Sequence, residues 1–423
     1  MDILSEIAKT KERTLPSFAL AIKRKGIIAE IKKKSPSAGV IKEMDVVLQA
    51  KKYERAIAIS VLTDTPYFGG SVEDLNRVRE EVSLPTLRKD FIITPSQLTE
   101  VRSSAILLIV ALLQEKTGEM MHLLQELKVD ALVEVNNEAE LKTALKAGAS
   151  IIAINHRNLK TFEVDPGLSL RLLPLIPQGV LKVAASGIHS VKEARRFFDA
   201  GFDAILVGEA LMKSENPNRM IELMKRRLKI CGVTDPLIAR FAAEAGADYV
   251  GLIFHKDSKR YVTLSQAKEV ALAARLGGAI PVGVFTDHSK EEILAISEEV
   301  GISHIQLHGK TAREAHASLP PQYTRIYVIE VDEKGNYEPP PLLNKERDHL
   351  LYDSKSPGQG KSFNKKGFIP HPDYPFFIAG GVTPLNVKGM IQEYDPDGMD
   401  VSSGVEIEGK KEKHLIEALI RQC

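Results

Sequence analysis

Short apolar runs along this chain end repeatedly in residues that can move protons. Ile28-Ala-Glu-Ile-Lys carries Glu30 and Lys32, Leu87-Arg-Lys carries Lys89, Leu132-Val-Glu-Val carries Glu134, and Ile154-Asn-His-Arg carries Asn155 and Arg157. Further along, Lys229-Ile-Cys-Gly ends in a thiol, Cys231, and Leu350-Leu-Tyr-Asp ends in a carboxylate, Asp353. A lone cysteine is more often a small buried hydrophobe than a catalyst. The agreement of several run ends is what points to chemistry. A carboxylate enclosed by apolar neighbours is pushed toward the range of a general base. A lysine near other cations has its pKa lowered and donates a proton near neutrality. Lys229 beside Cys231 favours the thiolate. His308, in Gln306-Leu-His-Gly, has no second histidine or carboxylate at ligand spacing, so no metal is expected.

A second pattern occurs twice. Val183-Ala-Ala-Ser-Gly-Ile-His189 is followed by Ala204-Ile-Leu-Val-Gly-Glu-Ala-Leu-Met212, and Phe377-Ile-Ala-Gly-Gly-Val-Thr-Pro384 by Gly398-Met-Asp-Val-Ser-Ser-Gly-Val-Glu406. In each, an apolar strand ends in small residues whose backbone N–H groups can close on an anion. Paired late strands of this kind form the phosphate site of (β/α)8 barrels. Two copies imply two barrels, each holding a phosphorylated substrate.

The elements that must position these residues follow from periodicity. Runs rich in Ile, Val and Leu alternate with amphipathic segments, as parallel strands do when helices cover them. Eight candidate strands lie in each half, from residues 27–32 to 204–207 and from 228–231 to 399–402. The predicted fold is α/β, two tandem (β/α)8 TIM barrels, over 1–226 and 227–423. The stretch 216–227 reads as the last helix of the first barrel, and the proline-rich stretch 332–346 as a link to a short helix. At a period of two, Glu30 and Lys32 share one side of a strand, the interior or mouth of a closed barrel. Lys33 and Lys34 suit a solvated face. The Ser356–Ser362 loop, beyond Asp353, could close over a substrate.

Composition excludes much. The 423 residues carry a net charge of +1 and only two cysteines, so neither a polyelectrolyte partner nor a disulfide framework is implied. No basic start with an apolar run opens the chain, and no apolar stretch reaches the roughly 18 residues of a membrane span. A cytoplasmic monomer acting on small phosphorylated substrates, without nucleic acid or membrane partners, is the expectation.

The first half resembles indole-3-glycerol phosphate synthase over Ile28–Ser37, Ile59–Asp64, Leu87–Phe91, Leu132–Val135 and Ser186–Ile188. The resemblance implies ring closure of 1-(o-carboxyphenylamino)-1-deoxyribulose 5-phosphate with loss of carbon dioxide and water. Lys89 would be the general acid, Glu134 the general base, and Glu30 and Lys32 the charged pair around the substrate. Ser35, Asn155 and Arg157 would bind its polar groups; Ser186, Gly187, Gly208 and Glu209 would hold the phosphate. One departure lies in the site: Ala185 stands where the family pattern places a carboxylate.

The second half resembles phosphoribosylanthranilate isomerase over Lys229–Gly232, Ser258–Val262, Gln306–Gly309, Ala379–Pro384 and Asp400–Glu406. The resemblance implies an Amadori rearrangement in which Asp353 protonates the ring oxygen and Cys231 takes the C2 proton. Arg260 would hold the anthranilate carboxylate, Gly381, Ser402 and Ser403 the phosphate, with Gln306, His308 and Asp400 also at the substrate. The second half's product is the first half's substrate, which implies a bifunctional enzyme of tryptophan biosynthesis. Three rivals stand beside it: a chain whose synthase half is weakened or a scaffold, a histidine-pathway type of barrel, and a non-catalytic sensor of phosphorylated metabolites. Paired aspartates would mark the second, and loss of the proton-transfer residues the third.

Overall fold

The computed structural model describes residues 15–35, 39–40, 44–157, 163–354 and 368–423. The chain divides into two compact units between Lys225 and Arg226. Each contains a closed barrel of eight parallel strands. In the first unit these are β1 (Gly26–Ile31), β2 (Ala58–Leu62), β3 (Thr86–Lys89), β4 (Ala105–Ile109), β5 (Asp130–Val135), β6 (Ile151–Asn155), β7 (Leu181–Ala185) and β8 (Ala204–Val207). In the second they are β9 (Arg227–Cys231), β10 (Tyr249–Ile253), β11 (Ile280–Phe285), β12 (His304–Leu307), β13 (Thr324–Val331), β14 (His349–Ser354), β15 (Phe376–Ile378) and β16 (Gly398–Val401). Closure is parallel in both, Gly26 pairing with Ala204 and Arg227 with Gly398. Every expected strand is present, with ends shifted by a residue or two.

Strand periodicity sorts each barrel into two cores. Ile27, Ala29 and Ile31 of β1 pack outward with the helices, while Ile28 points inward. In β5, Val133 and Val135 pack outward and Leu132 inward; in β6, Ile152 and Ile154 outward and Ala153 inward. The next inward positions toward the C-terminal ends are therefore Glu30, Glu134 and Asn155. The second barrel repeats the logic. Leu228 and Ile230, Leu350 and Tyr352, and Met399 and Val401 pack outward, which turns Lys229 and Cys231, Asp353, and Asp400 inward.

Two expectations about connections fail. The last helix of the first barrel spans Pro217–Met224, capped by the Asn216 side chain, and Arg227 belongs to β9 instead. Arg227 is buried, its guanidinium lying 5.7 Å from the centroids of the Tyr249 and Phe377 rings. Arg227, a residue that would suit a helix C-terminus, packs on those rings inside the barrel instead. Between Val331 and His349 there is no helix. Asp332 instead closes a turn by accepting from the N–H groups of Lys334 and Asn336, and prolines 339–341 offer no N–H to a helical ladder. The 356–362 loop lies outside the described residues. No described helix is long and apolar enough to cross a membrane.

Candidate active sites

In the first barrel Glu30, Lys32, Lys89, Glu134, Asn155 and Arg157 line one cavity of about 600 Å³, together with Ser186, Gly187, Gly208 and Glu209. The structure thus brings together the synthase-half residues singled out from sequence, except Ser35, whose side chain lies outside the described residues. Glu30 is the hub. Its carboxylate lies 3.0 Å from Lys32 Nζ and 3.3 Å from Lys89 Nζ. Burial alone would raise the Glu30 pKa, but the two ammonium groups reverse that and hold it at about 2. Glu134, inward on β5 across the barrel, goes the other way: burial pushes its pKa up, against the pull of Lys89 and a hydrogen bond from Asn155 Nδ2 at 2.9 Å. Two carboxylates in one cavity are driven apart in acidity, the arrangement that separates a charge holder from a base.

Lys89 departs from expectation. Burial works to lower its pKa, but Glu30 and Glu134 outweigh burial, and the net shift is upward. The cations nearby matter less than the close approach of Glu30, 3.3 Å from the Lys89 ammonium. Lys33 and Lys34 turn away from the cavity, Lys33 to Asp74 at 2.7 Å and Lys34 to the Pro66 carbonyl.

The phosphate-type turn is visible in the backbone. Ser186 and Gly187 both have positive φ, 70° and 68°, a succession that points N–H groups into a concavity. His156 fixes it: its Nδ1 lies 2.7 Å from the Ser186 carbonyl oxygen and its Nε2 contacts Ser169 Oγ. Sequence reasoning missed His156 and also Asn136, whose Nδ2 donates to the carbonyls of Asn155 and Arg157. It also missed an aromatic wall. Phe91 meets Tyr67 edge-on at 6.1 Å and lies 6.2 Å from Phe68, and all three line the cavity. Such residues carry no chemical signal in a sequence. Ala185 is buried and lines the same cavity beside Asn155, its register partner.

In the second barrel the inward layer holds Lys229, Cys231, Asp353 and Asp400, each less than a tenth exposed. Lys229 Nζ lies 3.0 Å from Asp400 Oδ1. Burial, reinforced by the Asp400 charge, raises the Asp353 pKa to about 7, so this carboxyl can hold or release a proton near neutrality. Cys231 corrects the expected thiolate: burial pushes its pKa up more strongly than Lys229 pulls it down. Burial and the Lys229 charge lower the His308 pKa to about 4, leaving a neutral ring. Gln306 Oε1 and His308 Nε2 are buried without a hydrogen-bond partner among the described residues.

Arg260 is bound more tightly than its sequence context indicated. Its Nε and Nη2 each donate to Glu406 at 2.7 Å, and Glu406 also accepts from Lys411 at 2.6 Å. Only the Nη1 edge of its guanidinium is left outside this bidentate pair with Glu406. Ser402 donates to the Cys231 carbonyl at 3.1 Å, Ser403 begins a short 3-10 turn, and Gly380 and Gly381 repeat the positive-φ pair at 79° and 68°. Lys411 was not foreseen, since nothing near it in sequence marks it.

Two (β/α)8 barrels, each with inward acid–base groups at its strand ends and a positive-φ turn beside them, define a double-barrel enzyme. A family model of indole-3-glycerol phosphate synthase matches residues 5–224, and one of N-(5'phosphoribosyl)anthranilate (PRA) isomerase matches residues 228–422. The chain is 36% identical to the tryptophan biosynthesis protein TrpCF of Vibrio cholerae, over 93% of this chain and 85% of that protein. It is 34% identical to the multifunctional tryptophan biosynthesis protein of Schizosaccharomyces pombe, covering 93% of this chain and 59% of that longer protein. The solved phosphoribosyl anthranilate isomerase of Thermotoga maritima is 29% identical, covering 47% of this chain and 98% of that one, with a TM-score of 0.38. The chain belongs to the bifunctional indole-3-glycerol phosphate synthase and phosphoribosylanthranilate isomerase family of tryptophan biosynthesis, synthase unit first.

Proposed function

We propose that the two barrels catalyse consecutive steps through the residues described above. In the second, N-(5-phosphoribosyl)anthranilate becomes 1-(o-carboxyphenylamino)-1-deoxyribulose 5-phosphate. Asp353 gives its proton to the furanose oxygen, the C1–O bond breaks, and a Schiff base forms. The deprotonated fraction of Cys231 then takes the C2 proton; the electrons of the broken C–H bond move into the C1–C2 bond as those of the C1=N bond return to nitrogen, giving an enolamine that tautomerises to the ketone. A carboxyl with a pKa of about 7 suits the first step, because it is protonated in a useful fraction of molecules yet gives up its proton readily. Arg260 holds the anthranilate carboxylate, Gln306, His308 and Asp400 the remaining polar groups, and Gly381, Ser402 and Ser403 the phosphate.

In the first barrel, Lys89 protonates the ketone oxygen as the anthranilate ring carbon attacks it. Carbon dioxide leaves and returns its bonding electrons to the aromatic ring; Lys89, reprotonated from solvent, gives a proton to the hydroxyl, which departs as water, and Glu134 takes a proton from the adjacent nitrogen-bearing carbon to form the indole double bond of indole-3-glycerol phosphate. Glu30 keeps Lys89 charged and in place. Lys32, Ser35, Asn155 and Arg157 bind the substrate's polar groups, the Tyr67–Phe68–Phe91 wall receives its aromatic ring, and Ser186, Gly187, Gly208 and Glu209 surround the phosphate. The observation that carries this reading is Lys89 held between one carboxylate kept ionised and another pushed toward protonation. A monomeric state and a cytoplasmic location accompany it. Neither barrel's steps need a cofactor.

Ala185 favours a second reading, in which the synthase barrel is weakened or only a scaffold. Supplying 1-(o-carboxyphenylamino)-1-deoxyribulose 5-phosphate and following indole absorbance separates them: sustained turnover supports two active barrels, and its absence in the folded protein supports the scaffold.

A further inference from the structure

Lys229 has no exposed surface. A buried ammonium is costly unless paired and hydrogen-bonded, and it has three N–H donors to place. Asp400, its register partner on β16, takes one at 3.0 Å. A sulfur stands nearby on its own strand. Cys231 is two residues on, inward like Lys229, and its register partner on β10 is Gly251. A methyl group built at Gly251 would sit 2.8 Å from Cys231 Sγ and 3.1 Å from Lys229 Nζ. The sulfur and the ammonium therefore border the same small space, and a side chain at position 251 would fill it.

We infer that Lys229 and Gly251 are positioning residues for Cys231: Gly251 leaves the space in which the Lys229 ammonium, anchored by Asp400, is held against the sulfur and stabilises its thiolate. This rests on the reading of Cys231 as the isomerase base. Burial opposes thiolate formation, and Lys229 is the strongest charge acting the other way. Among the described residues, the other charged groups acting on the sulfur are Asp400 from β16, Arg260 from the loop after β10, and Lys411, in the short antiparallel pair of Glu406–Ile407 with Lys410–Lys411. Asp400 opposes the thiolate, and Arg260 and Lys411 are both engaged by Glu406. Lys229 keeps its own proton, because Asp400 and Cys231 together offset the burial that would remove it. It acts as a fixed charge while the substrate's proton moves to sulfur.

The test is a titration of the Cys231 thiol, read by ultraviolet thiolate absorbance in a Cys423→Ser background that leaves one thiol, alongside the isomerase pH–rate profile. Lys229→Met and Lys229→Gln remove the charge, the latter keeping an N–H donor for Asp400 so that the barrel core stays satisfied. Gly251→Ala keeps the charge and occupies the space. All three are expected to move the thiol midpoint to higher pH and to lower isomerase kcat/KM about tenfold or more, a tenfold loss for each pH unit of midpoint shift, with synthase turnover on supplied aminoketose unchanged. An unshifted midpoint in folded Lys229→Gln overturns the inference, whatever happens to the rate. Retained isomerisation in Cys231→Ala would instead sink the reading of Cys231 as base, while the titration would still decide whether Lys229 acts on the sulfur.

Discussion

Replacing Glu30 by glutamine removes one charge and almost no volume, so its consequences can be worked from the site. The Glu30 pKa falls from 4.5 to about 2, which corresponds to about 3 kcal/mol in favour of the ionised form at 1.36 kcal/mol per unit. Direct attraction to Lys32 at 3.0 Å and Lys89 at 3.3 Å amounts to roughly 5 kcal/mol each at an effective dielectric near 20; the burial of Glu30 offsets much of it. Coupling is reciprocal, so Glu30 in turn favours the charged form of Lys89 and raises its pKa against the effect of burial. Glu30→Gln should therefore lower synthase kcat by about tenfold to a hundredfold and move the basic limb of its pH–rate profile to lower pH, as Lys89 loses the carboxylate that raises its pKa. The assay is indole formation from supplied aminoketose across about pH 6 to 10, with thermal unfolding as the folding control. A folded Glu30→Gln protein whose basic limb stays in place would refute the electrostatic role assigned to Glu30.

Three further outcomes follow from the same charges. Cys231→Ala or Asp353→Ala should cut isomerisation roughly a hundredfold or more while synthase turnover persists; loss of both activities in a folded protein would contradict two separate sites. Asp353 ionises at about 7 instead of 3.8, so its contribution to stability is fully present below pH 3.8 and lost as pH rises through 7; the buried charge then costs up to about 4 kcal/mol. Asp353→Asn should thus raise the unfolding temperature of the isomerase unit at pH 8 while abolishing its activity, and an unchanged or lower temperature would count against that burial. Ala185→Glu places a third carboxylate beside Asn155 in the synthase cavity, where it should raise the Lys89 pKa further and extend activity to higher pH; a profile identical to that of the parent would show that position 185 has no electrostatic part in the reaction.

The barrels were legible because strand periodicity is a local property. A period of two places Glu30, Glu134, Lys229, Cys231 and Asp353 inward without knowledge of any neighbour. Signs of pKa shifts were less legible, since they depend on partners brought from other strands. Lys89 is governed by Glu30, Cys231 by the depth of its burial, and Arg260 by Glu406, three relations that exist only once the barrel closes. His156 and the Tyr67–Phe68–Phe91 wall escaped for a different reason: a ring that supports a backbone turn or offers a flat face looks in sequence like any other core residue. The turn around Asp332 was misread as leading into a helix, although Pro339–Pro341 already argued against one.

The most direct test of two working barrels on one chain is to supply N-(5-phosphoribosyl)anthranilate alone and follow the indole absorbance of the product. The unaltered chain should carry it through to indole-3-glycerol phosphate. Lys89→Met should stop at the aminoketose with kcat for the second step reduced far more than KM is raised, the mark of an interaction made in the transition state. Asp353→Ala should consume nothing. Accumulation of aminoketose by the unaltered chain, with no growth of indole absorbance, would contradict the account.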